Sequence, residues 1–159
     1  MRIRTGTWFK TKVKYHKTME DGSEKVVSEA YVVDALSFTE AENAIIEEMS
    51  AYVSGELKVS NLGKASYNEI LFSDVDDDDK FYTCKLQFIT IDEKSEKEER
   101  SNVTYLVEAK SLARALRYVD EVFGKTMIDY DIVGLNETHV CDVFEHHAPS
   151  SENKEEKNE

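Results

Sequence analysis

Lys10, Lys12, Lys14 and His16 alternate with Phe9, Thr11, Val13 and Tyr15 near the start of this chain. A period of two is strand geometry, so the cations line one face and the apolar residues the other. Trp8 falls on the cationic side, and Arg2 and Arg4 join it if the same strand continues back to the first residues. A cationic row beside a flat ring has the chemistry to follow a single-stranded nucleic acid. The cations hold phosphates and the ring stacks on a base. The corresponding positions further along are Phe81, Thr83, Lys85, Gln87 and Ile89, where one ring and one lysine persist. The candidate nucleic-acid-binding set is therefore Arg4, Trp8, Lys10, Lys12, Lys14, Phe81 and Lys85. The competing reading is structural. The solvent face of an amphipathic strand is ordinarily charged, and lysines protect edge strands from aggregation. The net charge of −13 weighs on that side, because duplex binders are generally basic.

Other constellations are weaker. Asp74, Asp76 and Asp78 hold the first spacing of a calcium loop. The pattern then fails, because Asp79 stands where a sharp-turn glycine belongs and Lys85 where a bidentate glutamate belongs. This run reads as a solvated linker. His139, Cys141, His146 and His147 are ligand types that suit zinc, but their spacing fits no structural zinc pattern, and Cys141 sits on the apolar register of a short strand. No metal site and no cofactor are expected. Asp34 and Glu108 occupy equivalent places ahead of two helices. They read as anions favouring the positive helix ends rather than as an acid/base pair. With no phosphate loop, nucleophile elbow or zinc-hydrolase motif, the chain reads as a non-enzyme.

The elements that must position these residues come in two copies. WFKTKVKY at 8–15 aligns with FYTCKLQF at 81–88, and YVVDALS at 31–37 with YLVEAKS at 105–111. Residues 8–16 form a strand, Asp21-Gly22 marks a hairpin turn, and 26–35 return as the second strand. Ser37 with Glu40 is a capping-box pattern, followed by a helix with Phe38, Ala41, Ile45, Ile46 and Met49 on one stripe and Gly55 beyond it. Short strands near 56–62 and 66–72 complete the copy. In the second copy the strands are 81–91 and 103–109, and Ser111 is the N-cap. Leu112, Ala115, Leu116, Val119 and Phe123 form the stripe, ending at Gly124, before strands near 127–134 and 138–144. The expected fold is α+β: two pseudo-symmetric ββαββ copies, mostly antiparallel, with the helices packed on one face through Phe38, Ile45, Met49, Leu112, Leu116 and Phe123. The expected organisation is a first copy at 1–73, an acidic linker at 74–80, a second copy at 81–147 and a disordered acidic tail at 148–159, with both copies in one compact domain.

Composition narrows the class. Hydrophobic residues are 40% of the 159, enough for a core, yet no apolar run is long enough to span a membrane. The first residues, MRIRTGTWFK, lack the apolar stretch of a secretory signal, and two cysteines make no disulfide framework, so a reducing, cytoplasmic setting is expected. The segments TWFKTKVKYHKTMEDG, YVVDALSFTEAENAIIEEM and FYTCKLQFITIDEKS resemble a domain-of-unknown-function family, number 4494, of Bacteroidetes and their phages and mobile elements. The resemblance covers nearly the whole chain except the tail. It implies a small phage or mobile-element protein working among replication or recombination genes, and it carries no catalytic residues. The resulting expectation is a binding protein for single-stranded DNA or RNA. Its alternative is an acidic adaptor or inhibitor, such as a DNA mimic, that captures a protein partner without touching nucleic acid. Exposed edge strands make a homodimer plausible.

Overall fold

The structure, a computed structural model, describes residues 1–145. It is an α+β fold with two helices and nine strands in that span. After a short first strand, β1 (Arg2–Thr5), the order is β2 (Trp8–Thr18), β3 (Glu24–Asp34), α1 (Phe38–Met49), β4 (Leu57–Lys64) and β5 (Glu69–Phe72). The same order repeats as β6 (Lys80–Ile91), β7 (Glu98–Ala109), α2 (Leu112–Phe123), β8 (Asp129–Glu137) and β9 (Val140–Phe144). The element order is thus ββαββ twice behind β1.

The strands form two sheets rather than one. One runs β4-β2-β3-β9 and the other β1-β5-β7-β6-β8. Within each half the hairpin and the strand after the helix pair antiparallel, while the last strand crosses to the other half. There β9 runs parallel to β3, and β5 parallel to β7. Each sheet is completed by the other half, so neither half closes its own sheet.

Burial gives the layering. Phe9, Val13 and Val33 of the first sheet pack on Ala41, Ile45 and Met49 of α1. Tyr82, Cys84, Leu86, Tyr105 and Val107 of the second sheet pack on Ala115, Tyr118, Val119 and Phe123 of α2. A third cluster joins the sheets to each other, with Trp8, Val32 and Val143 meeting Ile70, Phe72, Phe81 and Leu106. The order of layers is helix, sheet, sheet, helix. The helices therefore lie on opposite outer faces and not on one shared face. Strands whose two faces both meet apolar layers at one end need apolar residues at both parities there, which explains the adjacent buried pairs Trp8-Phe9, Val32-Val33 and Phe81-Tyr82.

The helix starts follow their capping signals. Ser37 Oγ accepts from Glu40 N–H at 3.1 Å, and Ser111 Oγ accepts from Arg114 N–H at 3.2 Å. Glu40 also reaches back to accept from Leu36 N–H at 3.2 Å, which α2 cannot copy with Arg114 in that place. Replacing Ser111 with Ala should lower stability by about 1 kcal/mol. Urea titration reads this, and an unchanged midpoint would show that the cap contributes nothing.

Several expectations are corrected. Leu112 and Leu116 are 47% and 41% exposed and do not carry the helix packing, while Phe38, 52% exposed, meets the sheet edge-on at Phe9 with ring centroids 5.2 Å apart. In α2 the buried stripe is rotated to include Tyr118, because its hydroxyl donates to a buried carboxylate, Asp78, at 2.5 Å. The segment after residue 73 is therefore not wholly a solvated linker. Asp78 is 4% exposed and accepts hydrogen bonds from Tyr118, from Lys110 N–H at 2.8 Å, from Arg114 at 3.1 Å and from the Ser73 hydroxyl. β1 is a separate strand, and β7 begins well before residue 103. α1 ends at Met49 with Ser50 as its cap, so Gly55 does not terminate it. Gly22 takes φ +83° in the β2–β3 turn, a conformation glycine adopts at little cost.

Candidate functional site

β2 is a central strand, flanked by β3 on one side and β4 on the other. Its odd residues face α1. Its even residues face the second sheet at the strand's start and solvent beyond. Trp8 lies in the covered part, while Lys10, Lys12, Lys14 and His16 are exposed. Cross-strand register sets their neighbours. Lys10 stands between Val32 and Gly63, Lys12 between Ala30 and Asn61, and Lys14 between Ser28 and Lys58. A bulge in β4 skips Ser60, whose hydroxyl donates to Lys12 O at 3.2 Å, and this brings Lys58 directly opposite Lys14. Lys58 is exposed as well.

The resulting patch is Lys10, Lys12, Lys14 and Lys58, with His16 at its end. Alternate residues on a strand are about 6.8 Å apart and paired strands about 4.8 Å apart, so each lysine lies within about one Debye length of its nearest neighbour in the patch at physiological salt. Among the described residues none of the four lysines enters an ion pair. Like charges directly opposite each other on a sheet are destabilising. The Lys14–Lys58 pairing is thus a cost that folding does not require.

The remaining candidates fall elsewhere. Trp8 is 1% exposed, and its indole N–H donates to Asn68 O at 3.0 Å. Phe81 is 3% exposed in the same cluster between the sheets. Neither ring has a face for a base, so both stacking assignments are corrected: sheet-on-sheet packing has taken the two rings. Arg4 belongs to β1, in the other sheet, and pairs with Asp34 at 3.0 Å. Arg2 pairs with Glu145 at 2.7 Å and lies over the Phe72 ring at 4.5 Å. Both arginines serve the join between β1 and its surroundings and not the lysine row. Lys85 is exposed but stands on the second sheet, opposite Thr104 and Gly134. Lys58 was missed because its place on the patch depends on the β2–β4 register and its bulge, which no local pattern encodes.

Asp34 and Glu108 each have a local partner. Asp34 holds Arg4, and Glu108 accepts from Ser73 N–H at 2.9 Å. Burial pushes the Glu108 carboxyl up, against the lowering effect of that hydrogen bond. The equivalence of their positions reflects the repeat, and their partners differ. Cys141 is exposed and not a packed core residue, because β9 turns Val143 inward instead. Among the described residues no group of three or more metal-ligating side chains comes together. His146, His147 and the tail lie outside the described residues. No described helix is long and apolar enough to cross a membrane.

The apolar side of the same hairpin carries a second feature. Where α1 ends, Tyr15, Tyr31 and Phe144 remain partly uncovered and line a cavity of ≈ 640 Å³, with Met49 at its base and Tyr52 at its rim. Tyr31 stacks on Phe144, with ring centroids 5.4 Å apart and 23° between planes. The Tyr15 hydroxyl donates to Glu29. Burial first, and then that carboxylate, push the Tyr15 phenol up to about 12, so it stays a donor at any ordinary pH.

No curated protein and no solved structure matches the chain. A family model described as Domain of unknown function (DUF4494) matches residues 7–146, which takes in every described strand but β1, both helices and every lysine of the patch. On that match, the chain belongs to the DUF4494 family.

Proposed function

We propose that the protein binds single-stranded nucleic acid through the phosphate backbone, using Lys10, Lys12, Lys14 and Lys58 on the open face of the first sheet. The observation that carries this reading is the position of β2. Lysines that guard against aggregation belong on edge strands. Three of these four stand on a central strand, in the stretch where both its edges are already paired. They are exposed, without ion pairs among the described residues, and crowded against Lys58 in a chain that is acidic overall. Carboxylates elsewhere leave this one face to attract anions. The patch contains no aromatic ring, so it holds phosphates irrespective of sequence, and the interaction is salt-sensitive.

Fluorescence anisotropy of a labelled single-stranded oligonucleotide tests the reading. Saturable binding at low salt, lost when Lys12 and Lys14 are both changed to Glu, is the expected result. Binding that the double variant retains in full would remove the patch from the function. Trp8 emission should not be quenched by direct base stacking, since the ring is enclosed between the sheets.

A further inference from the structure

The two halves fill equivalent space differently. In the second half, Phe123 is the last residue of α2 and packs among Phe88, Tyr105 and Tyr130, with ring centroids 5.8, 4.8 and 6.1 Å away. In the first half the last residue of the equally long α1 is Met49. The positions matching Phe88 and Tyr105 are Tyr15 and Tyr31. Both helix ends border an open cavity, ≈ 630 Å³ beside Phe123 and ≈ 640 Å³ beside Met49, but at the end of α1 a flexible thioether stands in place of the ring and the walls are tyrosines.

The cavity also adjoins the lysine patch. β4 begins at Leu57, opposite Tyr15, so the edge of β2 beyond that point is unpaired. A notch of ≈ 490 Å³ opens there, lined by Lys14, His16 and Lys58, by the carboxylate residues Glu42 and Glu56, and by Tyr15 and Leu57. Tyr15 and His16 line both the notch and the tyrosine cavity. The lysines and the aromatic cavity are thus neighbours around the start of β4.

We infer that the tyrosine cavity at the end of α1 receives one base of the bound single strand, outside Met49, the counterpart of Phe123. The inference rests on the phosphate-binding reading of the lysine face. The stacked Tyr31–Phe144 pair and the exposed Tyr52 supply π faces, and base–aromatic stacking tolerates any base. The carboxylates of Glu29 and Asp142 on the cavity wall are acceptors suited to an exocyclic amine, as on cytosine.

The test compares oligo(dC) of about twelve nucleotides, within the span of known single-strand sites, with an abasic sugar-phosphate strand of equal length. Wild-type protein should bind oligo(dC) at least about five-fold more tightly. Met49→Phe, which copies the filling of the other half, should reduce that preference while leaving affinity for the abasic strand unchanged. Tyr52→Ala, at a residue 76% exposed, should do the same without any demand on the core, and it decides the matter if the Met49 variant does not fold. Equal affinity of wild type for both strands, or a preference that survives in every folded variant, overturns the base pocket and leaves the lysine face standing. Failure of both strands to bind at low salt overturns both.

Discussion

Changing Lys12 and Lys14 together to Glu should lower single-strand affinity by more than about 20-fold at low salt and flatten its salt dependence. The salt dependence of the wild type follows from counterion release. Each phosphate neutralised on a single strand contributes about −0.7 to the slope of log affinity against log salt, so three or four contacts give about −2 to −3, a loss of about 20–50-fold between roughly 50 and 200 mM. The double variant removes two cations of the patch and puts two anions in their place, within a Debye length of Lys10 and Lys58. Misfolding should not confuse the result. Both side chains are exposed, and Lys14→Glu replaces a like-charge pair with an opposite-charge pair across from Lys58, a contact worth about 0.2–1 kcal/mol in favour of the fold. Anisotropy at two salt concentrations, alongside urea unfolding, separates the outcomes. A variant at least as stable as wild type that binds as well as wild type would refute the site.

Removal of the Asp78 carboxylate should be among the most damaging single changes to stability. Asp78→Ala is expected to cost about 3 kcal/mol, the upper end of the range for leaving buried hydrogen-bond donors without an acceptor. The carboxylate joins four separate places: Ser73 at the end of β5, Lys110 N–H before α2, and Arg114 and Tyr118 within α2. Without it the Tyr118 hydroxyl and the Lys110 amide lose their acceptor, and Arg114 loses its counter-charge. Asp78→Asn should fall between, since an amide oxygen still accepts but carries no charge.

The same site makes a pH prediction. Burial pushes the Asp78 carboxyl up, but the hydrogen bonds from Ser73, Tyr118, Arg114 and Lys110 outweigh it and hold the group below the usual carboxylate range. A carboxyl lowered in the folded state stabilises fully above its unfolded value of about 3.9, and that stabilisation drains away as pH falls from there through the folded value. Wild type should therefore lose more stability on acidification than Asp78→Asn does. Parallel acid profiles of the two proteins, or a cost for Asp78→Ala below about 1 kcal/mol, would return the segment to the role of a passive linker.

Much of the fold is legible in residues 1–145 because its signals are local. Alternation at Phe9, Val13 and Tyr15, the Asp21-Gly22 turn, and serine caps at 37 and 111 each act within a few residues, and the structure keeps them. The ββαββ order and its recurrence follow from these. The lysine row itself is also local, since parity alone puts Lys10, Lys12 and Lys14 on one face.

Long-range pairing decided the rest. Parity could not tell that the face carrying Trp8 is covered at one end and open at the other, because that depends on where the second sheet lands. The same docking enclosed Phe81 and removed both rings from any binding role. Arg2 and Arg4 share the parity of the lysines, yet the chain changes sheets between β1 and β2. Asp78 looks like one more acid in DVDDDDK until α2 brings Tyr118 and Arg114 to it. The sequence by itself determined which residues form strands and helices and which cations share a strand face, since those depend on neighbours two to four positions apart. Only the tertiary structure decided that β2 is central, that β5 and β9 cross between sheets, and that Lys58 completes the patch. Each of these is set by contacts between segments far apart in the chain, whose register is fixed by burial of the whole and not by any one stretch.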